Sequence, residues 1–376
     1  MSDSPVLLSA GGTGGHLFPA EALAHVLSAR GVPVELVTDE RALRYGGAFP
    51  ARATMHMIRA GTPRGGSLLA RAGAIARLGL GTLEALMLLR RLRPCVVIGF
   101  GGYPTVPPLV AASLLGIPTV LHEANGVMGK ANRFLGGRVD KIAAGFPLAG
   151  VAPSWQEKIT VTGNPMRPNV LEAANTPYPD FADGRLRLLV TGGSQGARIM
   201  ADVVPAAIAA LPEELRARVD LVQQTRQEDI ARVEEIYAHA GVKAEIAPFF
   251  SDLPARIASA HFVIARSGAS TVSELAVIGR PAMLVPLPHS LDQDQAANAA
   301  LLEKTGAAEV VRQENFTPRF LSGRLAELIA APQSLIARAQ AAKQAGVADA
   351  AERLADLVLR VAAEKESAQA PQRRPA

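Results

Sequence analysis

Val6-Leu7-Leu8-Ser9-Ala10-Gly11-Gly12-Thr13-Gly14-Gly15-His16 carries an apolar strand directly into a glycine loop, and a helical pattern follows over Ala20–Ala29. The passage returns 181 residues later, where Leu186–Thr191 leads into Gly192-Gly193-Ser194-Gln195-Gly196-Ala197-Arg198. Glycines there let another group approach the backbone closely, and loop amides joined to a helix N-terminus favour anions. Each copy therefore predicts one phosphate-friendly loop.

Around the first copy, Val34–Thr38, Met55–Ile58, Val96–Ile98, Thr119–Leu121 and Lys141–Ala144 read as strands, with helices at Leu68–Leu92 and Val106–Leu115. Around the second, strands at Val219–Gln223, Phe262–Ala265 and Ala282–Val285 alternate with helices at Ala197–Ala210, Gln227–Ala240 and Thr271–Ile278. Such alternation predicts an α/β protein of two Rossmann-like, doubly wound domains, each a parallel sheet covered on both faces. Ligands of open parallel sheets sit at the carboxyl ends of the strands, so two such domains facing each other imply an interdomain cleft. Prolines 165, 168, 177 and 179 put the boundary within Gly163–Asp183. The expected division is 1–163, 164–345, a C-terminal helix over 346–366 that packs back on the N-terminal domain, and a disordered tail over 367–376.

The 376 residues are 49% hydrophobic and 19% charged, as in a packed globular chain. A single cysteine, Cys95, excludes an internal disulfide, and no Cys/His cluster has zinc spacing. The chain reaches Asp3 without a basic segment leading into an apolar one, which argues against a secretory signal and for the cytoplasm. Pro94–Leu121 holds no charge over 28 residues, but five prolines and four glycines divide it into strand, loop, helix and strand, so it reads as a buried core. Between Arg52 and Arg93 eight arginines face one acid, Glu84. That stretch is also apolar at helical spacing. It reads either as a basic amphipathic helix on an anionic membrane surface, through Arg64, Leu68, Arg71, Ile75, Arg77 and Leu78, or as a buried helix with a solvated arginine face. Nucleic acid is not expected, because stacking aromatics are sparse and no nucleic-acid motif accompanies the arginines.

Neither glycine loop fits the G-x-G-x-x-G dinucleotide spacing, although Asp39 stands where a ribose-binding acid would lie. Four further segments are more specific: Gly99-Phe100-Gly101-Gly102-Tyr103-Pro104, His122-Glu123-Ala124-Asn125-Gly126, Gly163-Asn164-Pro165-Met166-Arg167, and Arg266-Ser267-Gly268-Ala269-Ser270-Thr271-Val272-Ser273-Glu274. With the two loops they closely resemble the MurG family of peptidoglycan N-acetylglucosaminyltransferases, from about Val6 to Ala363. The resemblance implies the GT-B fold, a UDP-GlcNAc donor held mainly by the C-terminal domain, and inverting transfer to the C4 hydroxyl of undecaprenyl-pyrophosphoryl-MurNAc-pentapeptide. That work, lipid I to lipid II, would place the protein peripherally on the cytoplasmic face of the cell membrane, alongside other cell-wall synthesis proteins. The nearest alternative of the same fold is a UDP-GlcNAc 2-epimerase or another UDP-sugar enzyme.

By resemblance, Glu274 binds ribose hydroxyls, Phe250 offers backbone groups to uracil, and Gln295 contacts GlcNAc with Asn125 and Thr13. Ser194, Gln195, Arg167 and the helix start at Ala269, Ser270, Thr271, Val272 and Ser273 surround the donor, with Gly14 and Gly15 also counted there. The acceptor pyrophosphate falls to Gly14, Gly15, His16, Gly101, Gly102 and Tyr103. Asp292-Gln293-Asp294 has the D-x-D spacing of metal-dependent transferases. No metal and no cofactor is expected, since loops, helix ends and Arg167 already supply positive charge to the leaving diphosphate. Deprotonating the attacking hydroxyl calls for a base, and His16 and Glu123 are the candidates. His25, His56, His239, His261 and His289 are assigned to structural or surface roles, Cys95 to a buried thiol, and Trp155 to packing near the domain junction.

Overall fold

The computed structural model describes residues 4–11, 14–40, 49–62, 67–193, 196–288, 290 and 294–369. The chain forms two compact units, Met1–Arg167 with Asp349–Ala376, and Pro168–Ala348. The division falls four residues after the expected 163, and the second unit extends to 348 rather than 345.

In the first unit, β1 (Val6–Ser9), β2 (Val34–Thr38), β3 (Thr54–Met57), β4 (Val96–Gly99), β5 (Thr119–Glu123), β6 (Lys141–Ala144) and β7 (Ile159–Val161) form a parallel sheet in the order β3-β2-β1-β4-β5-β6-β7. Its helices are α1 (Gly14–Ala29), α2 (Leu68–Leu92), α3 (Val106–Leu114) and α4 (Lys130–Gly136). The two-residue period of a strand sends alternate side chains to opposite faces. Val6, Leu8, Val96 and Ile98 thus enter one core with Leu17 and Leu23 of α1. Leu7, Val97, Leu121 and Ile142 enter the other, with Ala85 and Leu89 of α2 and Leu109 of α3. Burial on both faces explains why these strands read as continuous apolar runs rather than alternating ones. Pro94–Leu121 becomes β4, a single 3-10 turn at Tyr103–Thr105, α3 and β5.

The second unit opens with α5 (Pro168–Ala173) and continues through β8 (Leu186–Thr191), α6 (Arg198–Ala209), α7 (Glu213–Arg216), β9 (Val219–Gln224), α8 (Ile230–His239), β10 (Ala244–Ala247) and α9 (Leu253–Ser259). It is completed by β11 (Phe262–Ala265), α10 (Ala269–Ile278), β12 (Ala282–Leu284), α11 (Asp294–Glu303), β13 (Ala308–Val310), α12 (Pro318–Ala330) and α13 (Ser334–Ala345). Its parallel sheet runs β10-β9-β8-β11-β12-β13. Helix α14 (Ala350–Gln369) belongs to the first unit, where Leu354, Leu357, Val358 and Val361 pack beside β1 and α1. It continues through residues 367–369, which the sequence reading gave to a disordered tail.

Two of the residues singled out from the sequence pack against the core of the first unit. Trp155 packs inside the first unit, where its ring leaves no room for a side chain on Gly136. Leu78 faces the α2–α3 core rather than presenting a free membrane contact, because it shares the helix face of Ala74, Ala85 and Leu89.

Candidate functional site

Strand order identifies the binding edge of each unit. In the first, the chain moves outward from β1 to β2 and β3, then returns to the other side of β1 with β4. In the second, β8 stands in the same way between β9 and β11. Loops leaving the two strands at such a reversal diverge and open a crevice. The described parts of those loops are Gly11 and Gly14–His16 with Phe100–Tyr103, and Gly192, Gly193, Gly196 and Ala197 with Arg266–Gly268. Each glycine loop and one further recognised segment thus flank a single crevice.

At the first crevice the His16 Nδ1 lies 3.2 Å from the Gly11 carbonyl, and the ring covers the Gly101-Gly102 turn. A Cβ on Gly102 would stand 3.1 Å from His16 Cε1, and both glycines have positive φ, 91° and 73°. Only glycine meets both demands cheaply. Gly14 and Gly15 form the first turn of α1, and Tyr103 begins the 3-10 turn.

Glu123 closes β5 with only 3% of its surface exposed. Its Oε1 accepts from the Asn125 backbone N–H at 3.0 Å and from Asn125 Nδ2 at 3.1 Å. Its Oε2 accepts from the Gly129 N–H at 2.9 Å and from Asn132 Nδ2 at 2.8 Å. Burial pushes this carboxyl up, opposed by those same donors. Beside it, His122 is fully buried and tilted against Phe100 at 5.5 Å between centroids. Desolvation lowers its pKa to about 4, helped slightly by the nearby His16 and opposed by the Gly163 backbone. Arg167 stacks its guanidinium 3.8 Å above the Phe18 ring of α1, which places this expected donor ligand on the first unit's crevice helix.

At the second crevice a residue missed by sequence reasoning organises the loop. Gln224, at the end of β9, accepts at Oε1 from Thr191 Oγ1 at 2.7 Å and from the Gly192 N–H at 3.1 Å. Its Nε2 donates to the Gly193 and Pro248 carbonyls at 3.0 and 3.2 Å. One neutral amide thereby ties the glycine loop to the segment carrying Phe249 and Phe250. Phe250 is buried under the Arg256 guanidinium at 4.2 Å, whereas Phe249 is 66% exposed. Arg266, which opens a recognised segment but had no role assigned from sequence, is buried and donates to the Val285, Pro286 and Gln313 oxygens, and desolvation pulls its pKa down.

Helix α10 begins at Ala269 behind Gly268, so Ser270 and Thr271 lie in its first turn and Val272, Ser273 and Glu274 follow, buried. Ser267 Oγ donates to the Gln295 carbonyl at 2.8 Å, and Asn298 Nδ2 donates to the Ser267 carbonyl at 3.2 Å. Gln295 Oε1 accepts from the Leu287 N–H at 3.0 Å, and Asp294 Oδ1 accepts from the Gln295 N–H at 2.8 Å. Ser267, Leu287, Gln295 and Asn298 are thereby tied together by hydrogen bonds. Thr13, Ser194, Gln195, His289, Asp292 and Arg64 lie outside the described residues, as does the Leu68 side chain. Among the described residues no three His, Cys, Asp or Glu side chains gather as a metal site.

Residues 6–144 match the glycosyltransferase family 28 N-terminal domain and residues 187–354 match the glycosyltransferase family 28 C-terminal domain. The chain belongs to glycosyltransferase family 28. It is 58% identical over 361 residues to the UDP-N-acetylglucosamine--N-acetylmuramyl-(pentapeptide) pyrophosphoryl-undecaprenol N-acetylglucosamine transferase of Methylobacterium nodulans, covering 95% of this chain and 96% of the relative. Its fold matches the crystal structure of MurG from Acinetobacter baumannii with a TM-score of 0.75 at 29% identity, over 95% of this chain and 99% of that one. The UDP-GlcNAc 2-epimerase of Neisseria meningitidis also matches, with a TM-score of 0.66 over 95% of this chain and all of that one. At 13% identity that likeness is one of fold alone. The GT-B expectation holds, and this family member is a glycosyltransferase.

Proposed function

We infer that this chain transfers N-acetylglucosamine from UDP-N-acetylglucosamine to N-acetylmuramyl-(pentapeptide) pyrophosphoryl-undecaprenol in peptidoglycan synthesis. The observation that carries the reading is 58% identity along nearly the whole chain to a transferase of that name. Division of labour follows the two crevices. In the second unit, Glu274 takes the ribose hydroxyls, the Phe250 backbone takes the base, and Gln295 takes the sugar. In the first, the α1 N-terminus with Gly101 and Gly102 takes the acceptor pyrophosphate, to which Arg167 adds charge from above Phe18. That neighbourhood favours moving Arg167 from the donor to the acceptor side.

The base is His16. A proton on Nδ1, donated to the Gly11 carbonyl, leaves a lone pair on Nε2, the tautomer that can accept the C4 hydroxyl proton. Glu123 has both oxygens committed to four donors and is 3% exposed, so it serves as a positioning residue that aims the Asn125 amide. The developing charge on the leaving diphosphate is met by helix and loop amides of the second crevice.

The acceptor lipid cannot leave a bilayer, so the enzyme works at the membrane surface through α2. This helix exposes Leu69, Ile75, Leu83 and Met87 beside Arg71 and Arg77. By length and composition Leu69–Leu92 could even cross a membrane, at mean hydropathy 1.5. Its other face packs against α3 and the sheet, which favours lying on the surface rather than spanning. Transfer of radiolabelled GlcNAc from UDP-GlcNAc to a short-chain analogue of the lipid acceptor tests the reading. Acceptor-dependent label in the product is expected; label appearing only in an epimerised nucleotide sugar would overturn it.

A further inference from the structure

Between edge strand β3 and helix α2 lies a groove of about 1280 Å³. Met55 and Met57 line it from the strand, Leu80 and Met87 from the helix, and each is between 46% and 64% exposed. The charges within it offset one another, since Arg59 pairs with Glu84 at 3.3 Å while Arg77 and Arg91 oppose Asp39 and Glu40. The groove is a built feature. Gly81 of α2 lies so close to the Arg59 carbonyl that any side chain there would collide with it, which draws the chain leaving β3 against the helix. One end reaches the first crevice: Asp39 lines the groove, and its Oδ1 would lie 2.8 Å from a Cβ on Gly11.

We propose that this groove binds the first isoprene units of the acceptor's polyprenyl chain. The proposal rests on the acceptor reading above. Two observations select this occupant over a membrane acyl chain. Apolar side chains line two facing walls, strand and helix, whereas contact with a flat bilayer would use the helix alone. The groove also begins at the glycine loop that holds the pyrophosphate, so the hydrocarbon that enters it is the one bonded to that pyrophosphate. Three methionines on the walls, unbranched and polarizable, suit an irregular methyl-branched chain. The volume exceeds the several hundred Å³ typical of small-molecule pockets, leaving room for several isoprene units.

The test compares two soluble acceptor analogues, with one and with four isoprene units, in the absence of vesicles. Wild-type protein should favour the longer by about tenfold or more in kcat/KM, since burying even a few extra methylenes has an effect of that size. Met57→Gln combined with Leu80→Gln should bring the ratio near one and leave the KM for UDP-GlcNAc unchanged. Both side chains are half exposed, so neither core is disturbed. As a direct readout, titration with a four-unit isoprenyl pyrophosphate should show weaker binding to the double variant by a similar factor. A wild-type ratio near one, or a ratio preserved in the variant, overturns the proposal. Loss of vesicle binding with the ratio intact would make the groove a membrane contact and overturn it too. Failure of both analogues as acceptors, with UDP still bound, would overturn the acceptor reading itself and this proposal with it.

Discussion

The two crevices share a topology but are braced by opposite chemistry. In the first unit the loop at residues 124–129 is gathered around a buried carboxylate, Glu123, and Asn132 Nδ2 adds the His122 carbonyl to the same knot. In the second unit the bracing groups are a neutral amide, Gln224, and a buried cation, Arg266. A bare carboxylate beside a phosphate site would repel the ligand. Four neutral donors occupy the lone pairs of Glu123, so its oxygens are committed to the loop rather than to a ligand. Glu123, Gln224 and Arg266 brace their crevices without being assigned to a ligand, and substitutions at bracing and at binding residues should therefore differ in effect.

The largest effect is expected at His16. His16→Ala should lower kcat by about 10²–10⁴-fold, the usual loss for a general base, with UDP affinity by titration calorimetry unchanged. Glu123→Gln, by contrast, keeps the shape of the side chain but exchanges an acceptor oxygen for a donor, so thermal stability and acceptor KM should suffer before kcat does. If Glu123→Gln instead abolished turnover in a stable protein while His16→Ala did not, the two roles would be exchanged.

Glu274→Ala should weaken UDP-GlcNAc binding by about 1.5–3 kcal/mol for each charge-assisted hydrogen bond to ribose, roughly tenfold to a hundredfold for one. Gln224→Leu should weaken UDP binding less and destabilise more, by about 1–3 kcal/mol, because it orphans the Gly192 N–H and the Gly193 and Pro248 carbonyls. Equal losses of binding in the two would blur bracing and binding at the second crevice.

His122 offers a test through pH. Its folded pKa, about 4, lies below the ordinary 6.5, so between these values the unfolded chain binds more protons and stability falls as pH falls. The full difference amounts to roughly 3 kcal/mol. Glu123, with its raised pKa, acts in the opposite sense, gaining relative stability as it protonates. The urea midpoint should therefore fall more steeply in wild type than in His122→Leu as pH falls from 6.5 to 4. Parallel curves would show that His122 does not titrate on unfolding in this window.

The smallest effect should be at the membrane face. Changing Arg64, Arg71 and Arg77 together to Gln should reduce co-sedimentation with anionic vesicles by an amount that shrinks with added salt, at about 1 kcal/mol per arginine near the surface. Undiminished sedimentation would leave α2 a solvated face.

The strands that position both crevices were legible because they are buried on both sides and read as unbroken apolar runs, as in Val6–Ser9 and Phe262–Ala265. The glycine loops were legible because backbone approach and positive φ leave a mark in composition. Strands β7, β10 and β13 escaped notice: three or four residues long, and partly exposed, they carry no periodic signal. Gln224 and Asn132 were missed, and the role of Arg266 was not read, for another reason. A neutral amide or a buried arginine earns its role through carbonyls and amides brought from distant loops, and nothing adjacent in sequence announces them. The available cue was a pair of glutamines, Gln223 and Gln224, closing a strand whose other buried positions are apolar. Glu123 was read as a base because spacing shows a carboxylate but not the four donors around it.

The division of labour between the crevices is tested most directly by backbone hydrogen exchange on the full chain, with UDP and then with a soluble acceptor analogue. UDP should give its largest protection in 192–197, 248–252 and 266–274, and the analogue in 14–18 and 100–105. Protection by UDP concentrated in 14–18 and 100–105 would contradict the account.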